Sequence, residues 1–260
     1  MSQENIRAKK KFGQNFLNNQ GIIKKIVNII NPTNKKIIEI GPGMGALTEH
    51  LIPAADEFVA FEIDTDMIQI LNAKNWFNDE TKKIIQGDFL EADLNSFGGF
   101  EVCGNIPYYI TSDIIMKLLD YRFLFKRATL MVQDEVANRL VAKPNSKEYS
   151  KLTVTCQYVA KVTKELFVGK NNFTPIPKVD SAIVSLEFYQ DKQDNFENIK
   201  NFLKLCFANR RKKLTWSLKQ NYDKELITSA YSTMNIDDNT RAEQLTLDQL
   251  VKLYNLLNKL

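Results

Sequence analysis

The sequence predicts an α/β protein: a doubly wound, mostly parallel sheet followed by a small C-terminal all-helical domain. Three observations carry this. Short apolar runs near 35–40, 58–61, 84–85, 100–103 and 127–132 alternate with segments of helical period, the pattern of strand–helix–strand units. The loops after the first four runs are rich in Gly, Pro, Asp and Asn, the residues of turns at strand ends where open α/β sheets take ligands. After the polar stretch Gln190-Asp-Lys-Gln-Asp194 the pattern becomes purely helical. The domains are therefore expected at 1–190 and 191–260.

In order, residues 1–11 are polar and end in Lys9-Lys-Lys11, the composition of a solvated tail. Phe12-Gly-Gln-Asn-Phe-Leu17 differs, because a solvated tail has no use for two Phe and a Leu. This segment is expected to fold back over a site. Apolar Ile22, Ile23, Ile26, Val27, Ile29 and Ile30 mark a helix ended by Asn31-Pro32.

The first strand runs into Gly41-Pro-Gly-Met-Gly45 and then an expected helix from Ala46 to Leu51. Glycines at such a turn let the backbone approach a ligand and aim helix N–H groups at it. Both G-x-G-x-x-A and G-x-G-x-G fit, so the turn alone selects no cofactor. The second strand ends at Glu62, about 20 residues after the first glycine, where a carboxylate can accept from both ribose hydroxyls. The pairing of turn and acid points to an adenosine-containing cofactor. Asp64 and Asp66 are expected as helix N-caps. Asp88, at the third strand end, either accepts from an adenine amino group beside Phe89 or serves as a turn carboxylate.

The fourth strand leads into Asn105-Ile-Pro-Tyr108 and then Thr111-Ser-Asp113, which reads as a tight loop and a capped helix start. Pro107 biases Ile106 away from helical geometry, which frees its carbonyl to face a cleft. The Asn105 oxygen is a second acceptor and Tyr108 supplies a flat ring. Two acceptors beside a stacking ring suit a planar group with an exocyclic amine. The alternative is a turn that merely joins strand to helix.

Beyond a fifth strand and an alternating run from Lys161 to Val168 comes Phe173-Thr-Pro-Ile-Pro-Lys-Val-Asp180, leading into a strand from Ser181 to Phe188. Phe173 either stacks on a flipped-out base opposite Tyr108 or plugs the space under its loop. Asn209-Arg-Arg-Lys-Lys213 is the densest basic run; a solvated helix face is its ordinary meaning.

Composition narrows the function. Net charge is only +4, so a nucleic-acid surface must come from local clustering. Cys103, Cys156 and Cys206 are far apart and show no metal-ligand spacing, which fits a reduced, cytoplasmic setting. His50 is the only histidine and falls in an expected helix, which argues against a serine–histidine triad or a His-rich metal site. No apolar run is long enough to span a bilayer, and no membrane partner is expected.

Taken together, the motifs resemble the small-subunit ribosomal RNA adenine dimethyltransferases, a family of class I methyltransferases with a Rossmann-like sheet. The resemblance rests on Lys11-Phe-Gly-Gln-Asn-Phe-Leu17, Glu39-Ile-Gly-Pro-Gly-Met-Gly-Ala-Leu-Thr48, Glu62-Ile-Asp64, Gly87-Asp88, Asn105-Ile-Pro-Tyr108, Phe173-Thr-Pro-Ile-Pro-Lys-Val-Asp-Ser181 and Phe207-Ala-Asn-Arg-Arg-Lys-Lys-Leu214. It departs at Lys213 and Thr215, where the family commonly has Thr and then Arg. It implies S-adenosylmethionine (SAM) as methyl donor, no metal, and dimethylation of two adjacent adenines near the 3′ end of 16S rRNA. The implied partner is the small ribosomal subunit or its precursor, met by a monomer during ribosome biogenesis. By the same resemblance, Asn15, Leu17 and Gly41 line the cofactor, Glu62 holds its ribose, Asp88 its adenine, and Asn105 lies between donor and target. Tyr108 and Phe173 sandwich the target base. Competing readings are a large-subunit rRNA adenine methyltransferase, a non-catalytic ribosome-assembly factor and a nicotinamide-dependent oxidoreductase; the last leaves Asn105–Tyr108 without a purpose.

Overall fold

The computed structural model describes residues 9, 12–190 and 195–259, and its strands gather into a seven-stranded sheet and a two-stranded one. In chain order the elements begin β1 (Phe16–Leu17), α1 (Gln20–Ile30), β2 (Lys36–Ile40), α2 (Thr48–Leu51), β3 (Glu57–Glu62), α3 (Thr65–Asn72) and β4 (Lys82–Gln86). They continue with β5 (Phe100–Asn105), α4 (Thr111–Asp120), β6 (Arg127–Gln133), α5 (Asp134–Leu140), α6 (Lys151–Val159), β7 (Ala160–Val168), β8 (Phe173–Thr174) and β9 (Ser181–Phe188). Four helices close the chain: α7 (Phe196–Phe207), α8 (Leu214–Leu218), α9 (Lys224–Met234) and α10 (Leu247–Asn258).

The main sheet has the order β4-β3-β2-β5-β6-β9-β7. Its first five strands pair in parallel and β9 runs antiparallel to β6. Ile37, Ile38 and Ile40 of β2 are all buried, as expected for a central parallel strand covered on both faces. Successive strands lie to opposite sides of β2, so the crevice at its carboxyl end is a topological switch point. Gly41, Glu62, Asp88 and Asn105 all stand at or just past the carboxyl ends of β2 to β5.

Two strands at that point approach very closely. A Cβ added at Gly104 would lie 2.5 Å from the Ile40 carbonyl oxygen, its neighbour across β2 and β5. Gly104→Ala is therefore expected to destabilise the fold by about 1–3 kcal/mol through overpacking, read as a lower urea midpoint. An unchanged midpoint would mean that the strands part at no cost.

Local chemistry sets the helix ends. The Asn19 side chain accepts from the Gly21 and Ile22 amides to start α1, and Asn31, left-handed at φ 50°, stops it before Pro32. Asp64 caps α3 by accepting from the Asp66 amide. Asp66 is not a cap; it lies in the first turn, where the Lys9 ammonium reaches it at 2.6 Å. The expected side-chain cap of α4 is also absent: Thr111 donates back to the Pro107 carbonyl, because a 3₁₀ turn over Tyr108–Ile110 already leads into the helix. The helix expected from Ala46 begins at Thr48.

The chain divides into two units, Met1–Ala137 with Lys161–Gln190, and Asn138–Ala160 with Asp191–Leu260. The second thus includes Asn138–Ala160, which lies before the expected boundary at 190. Its core unites Tyr149 and Val154 with Phe202, Leu203, Cys206 and Phe207 of α7 and with Leu250 and Leu253 of α10. The Tyr149 and Phe207 rings meet edge to face at 5.9 Å. All three cysteines are free and buried. Among the described residues no helix is long and apolar enough to cross a membrane.

Candidate active site

One cavity in the sheet unit opens at the carboxyl ends of β2 to β5, and Asn15, Leu17, Gly41, Glu62, Asp88, Asn105 and Tyr108 all line it. The turn after β2 forms its floor. Gly41 has φ +65°, and a Cβ there would meet nothing within 4 Å, so the missing side chain leaves room for a ligand against bare backbone.

Glu62 is 5% exposed, and both of its oxygens are used to shape the site. Oε2 accepts from the Gly43 amide at 3.0 Å and Oε1 from the Asp64 amide at 2.8 Å. Each oxygen keeps a second acceptor position for a hydroxyl. Burial raises the Glu62 pKa, against the lowering effect of those amides. Asp88 accepts from the Leu90 amide at 2.8 Å, so it serves as a turn carboxylate while its half-buried side chain also faces the cavity. Lys117 props the same loop by donating to the carbonyls of Leu90 and Ala92.

The N-terminal segment folds back over the site as expected, from Phe12 to Leu17. It is fastened at two places. β1 pairs antiparallel with β8, and Lys9 and Gln14 hold the two oxygens of Asp64 at 2.6 and 2.8 Å. Lys9 is thus engaged and not a solvated tail residue; Lys10 and Lys11 lie outside the described residues. Burial pushes the Asp64 carboxyl up, but the hydrogen bonds from Lys9 and Gln14 outweigh it and hold its pKa below the ordinary value.

This fold-back brings the Asn15 carbonyl to the Asn105 amide, which donates through Nδ2 at 3.0 Å. That bond fixes the amide's orientation and leaves Oδ1 as the acceptor toward the cavity. The Ile106 amide donates to the Met131 carbonyl at 3.1 Å, which anchors the loop where it leaves β5. The Tyr108 hydroxyl lies 2.8 Å from Ser181 Oγ, which holds the half-buried ring at the cavity wall. Burial raises the phenol pKa further, so the ring stays neutral.

Phe173 is the exception among the expected site residues. It does not line the cavity; at 2% exposure it packs with Leu17 and Val168 in the apolar cluster behind the strap. In this conformation it is the plug beneath the loop, because pairing of β8 with Leu17 turns its ring inward.

Glu39, for which the sequence motifs predict no role, is 2% exposed, lines the cavity and accepts from the Thr48 hydroxyl at 2.7 Å. Burial pushes its pKa to about 7, and the nearby Glu62 adds to that. An acid inside an otherwise apolar strand run, two residues before the first glycine, was the available signal. Ser181 and Lys9 carried no local signal of their roles.

The cavity lining contains Glu39, Glu62 and Asp88 but no Lys, Arg or His among the described residues. The Glu62 and Asp88 carboxylates suit the ribose hydroxyls and the exocyclic amine of an adenosine-containing cofactor, and the residues present therefore fit SAM.

Comparison with known proteins gives the same direction. The family model described as ribosomal RNA adenine dimethylase matches residues 5–259. The protein named ribosomal RNA small subunit methyltransferase A from Mycoplasmopsis synoviae is 46% identical over 261 residues, covering 99% of this chain and 100% of that protein. The protein of the same name from Metamycoplasma arthritidis is 44% identical over 252 residues, 97% of each chain. A crystal structure of a dimethyladenosine transferase from Plasmodium falciparum superposes with a TM-score of 0.84 at 30% identity, over 94% of this chain and 98% of that one. That of the 23S rRNA methyltransferase ErmE superposes with a TM-score of 0.74 at 26% identity, over 94% and 100%.

Proposed function

The chain belongs to the ribosomal RNA adenine dimethylase family, and on that premise we propose that it dimethylates the exocyclic amines of two adjacent adenines near the 3′ end of 16S rRNA. It is a SAM-dependent rRNA adenine dimethyltransferase. It would act as a cytoplasmic monomer on the small ribosomal subunit or its precursor, during ribosome biogenesis. The observation that carries the reading is the Asn105 loop, set in one cavity with Glu62 and Asp88.

Bound SAM supplies a methyl group already activated on a sulfonium, so the protein needs no strong base. Glu62 would hold the ribose and Asp88 the adenine, with Asn15, Leu17 and Gly41 as walls. Asn105 Oδ1 and the Ile106 carbonyl would accept the two hydrogens of the target amine. That localises a lone pair otherwise delocalised into the ring, a stabilisation gained mainly in the transition state. Tyr108 would stack on the target base, which leaves any helical stack to enter. Phe173 would complete a sandwich only if β8 and β1 parted. Each transfer would break the methyl–sulfur bond, form the methyl–nitrogen bond and leave the amine cationic, so one proton passes to water each time; the monomethyl group must then turn aside before the second transfer.

The sheet unit would bind SAM and the helical unit RNA. Arg210, Arg211, Lys212 and Lys213 are all exposed; Arg210 also donates to the Lys147 carbonyl at 2.9 Å. Replacing Arg210 and Arg211 by Ala is expected to weaken rRNA binding and flatten its salt dependence by about one unit of slope per lost phosphate contact. The check is a titration over a salt series. An unchanged slope would make the run a solvated face.

A large-subunit target is the second reading, favoured by the likeness to ErmE. The higher identity to small-subunit enzymes favours the first. The test is single-turnover transfer of labelled methyl from SAM to pre-30S particles lacking the modification, with mapping of the methylated adenines. Binding without transfer would leave an assembly factor.

A further inference from the structure

A second depression, in the helical unit, contains no part of the methyl-transfer site. Trp216 lines it together with Lys212, Lys213, Lys219 and Lys224. The helix α8 explains the exposure. Leu214, Ser217 and Leu218 face the core, which leaves Trp216 on the outer face, 49% exposed. Trp is rarely left so open, since its large apolar surface is normally covered. Among the described residues the indole has no aromatic or cation–π partner, and none of the four lysines has an ion-pair partner.

An exposed aromatic ring sharing a depression with unpaired cations suits single-stranded nucleic acid: bases stack on the ring while phosphates meet the charges. A duplex keeps its base faces covered and would use the lysines only. Asp238, also at the depression, adds an acceptor suited to a base amine and unsuited to a phosphate. We propose that this depression is a second RNA-binding subsite, which takes one unpaired base of the rRNA substrate on Trp216 and the flanking phosphates on the lysines. The proposal rests on the rRNA methyltransferase reading and adds a contact outside the methyl-transfer cavity.

The experiment uses the full chain and a short single-stranded RNA, with a duplex of equal charge and inorganic polyphosphate as comparison probes. Tryptophan emission should be quenched by the single strand, and the quench should vanish in Trp216→Phe, which retains Trp76. Trp216→Ala should bind the single strand roughly ten-fold more weakly, and Trp216→Phe should keep most of the affinity, because stacking needs a ring and not an indole. The side chain is exposed, and unchanged thermal melting will establish that both variants fold. Equal quenching by polyphosphate or duplex, or wild-type affinity in Trp216→Ala, would overturn the subsite. Methyl transfer to pre-30S particles is measured on the wild type in parallel. Its presence together with an unaffected Trp216→Ala rejects the subsite alone, and its absence rejects the enzyme reading itself.

Discussion

Asn105→Ala is expected to lower methyl transfer by ~10²–10³, the usual loss when one well-placed polar group is removed from a reacting centre. The side chain is polar and half-buried at a strand end facing the cavity, so the variant should fold. Binding to pre-30S particles should persist, because it is assigned to other residues. The loss should appear in the single-turnover rate and not in particle affinity. Tyr108→Ala should also slow transfer, through lost stacking of ~1–3 kcal/mol. Wild-type rates in Asn105→Ala would show that the amine is oriented by something else. The fold-back adds a subtlety: Asn105 also donates to the Asn15 carbonyl, so Asn105→Ala loosens the strap. SAM affinity measured on the same variant separates the two effects.

Glu62→Ala should weaken SAM binding on the order of 10²- to 10⁴-fold by calorimetry, since two hydrogen bonds to a charged partner are lost and each contributes about 1.5–3 kcal/mol. Part of that loss comes through the Gly43 and Asp64 amides, which lose their acceptor. Glu62→Gln should lie between wild type and Ala, because it offers one oxygen where two are used. The pH dependence follows from burial, which raises the Glu62 pKa. Accepting from two hydroxyls needs the ionised form, present above that raised pKa. SAM affinity should therefore fall as pH drops through it, at a higher pH than an ordinary glutamate would show, and the fall should shrink in Glu62→Gln to the part that the neighbouring Glu39 contributes. Tight nicotinamide-dinucleotide binding, with none of SAM, would reject the cofactor assignment.

The strands, the glycine turn and the acids at the strand ends were legible in the sequence because each is local. A buried parallel strand needs a continuous apolar run, a close ligand approach needs glycine, and a carboxylate just past a strand faces the crevice wherever the sheet is parallel. The same locality explains the Asp64 cap. The reading failed where one local pattern fitted several positions. Asp66 has the chemistry of a cap, but the helix had already started at Asp64. Thr111 has it too, but the preceding 3₁₀ turn removes the need.

By itself, then, the sequence determined which residues could do the chemistry and at which ends of which strands they stand. Only the tertiary structure decided which distant groups hold them in place. Asn15 meets Asn105 across 90 residues, Tyr108 meets Ser181 across 73, and Gln14 meets Asp64 across 50. The structure also buried Phe173 behind β1 and joined Asn138–Ala160 to the C-terminal helices. A strand end or a cap is specified by the few residues around it. Such long contacts depend on where whole elements pack, which is set by the sum of many small apolar contacts that no short stretch of sequence contains.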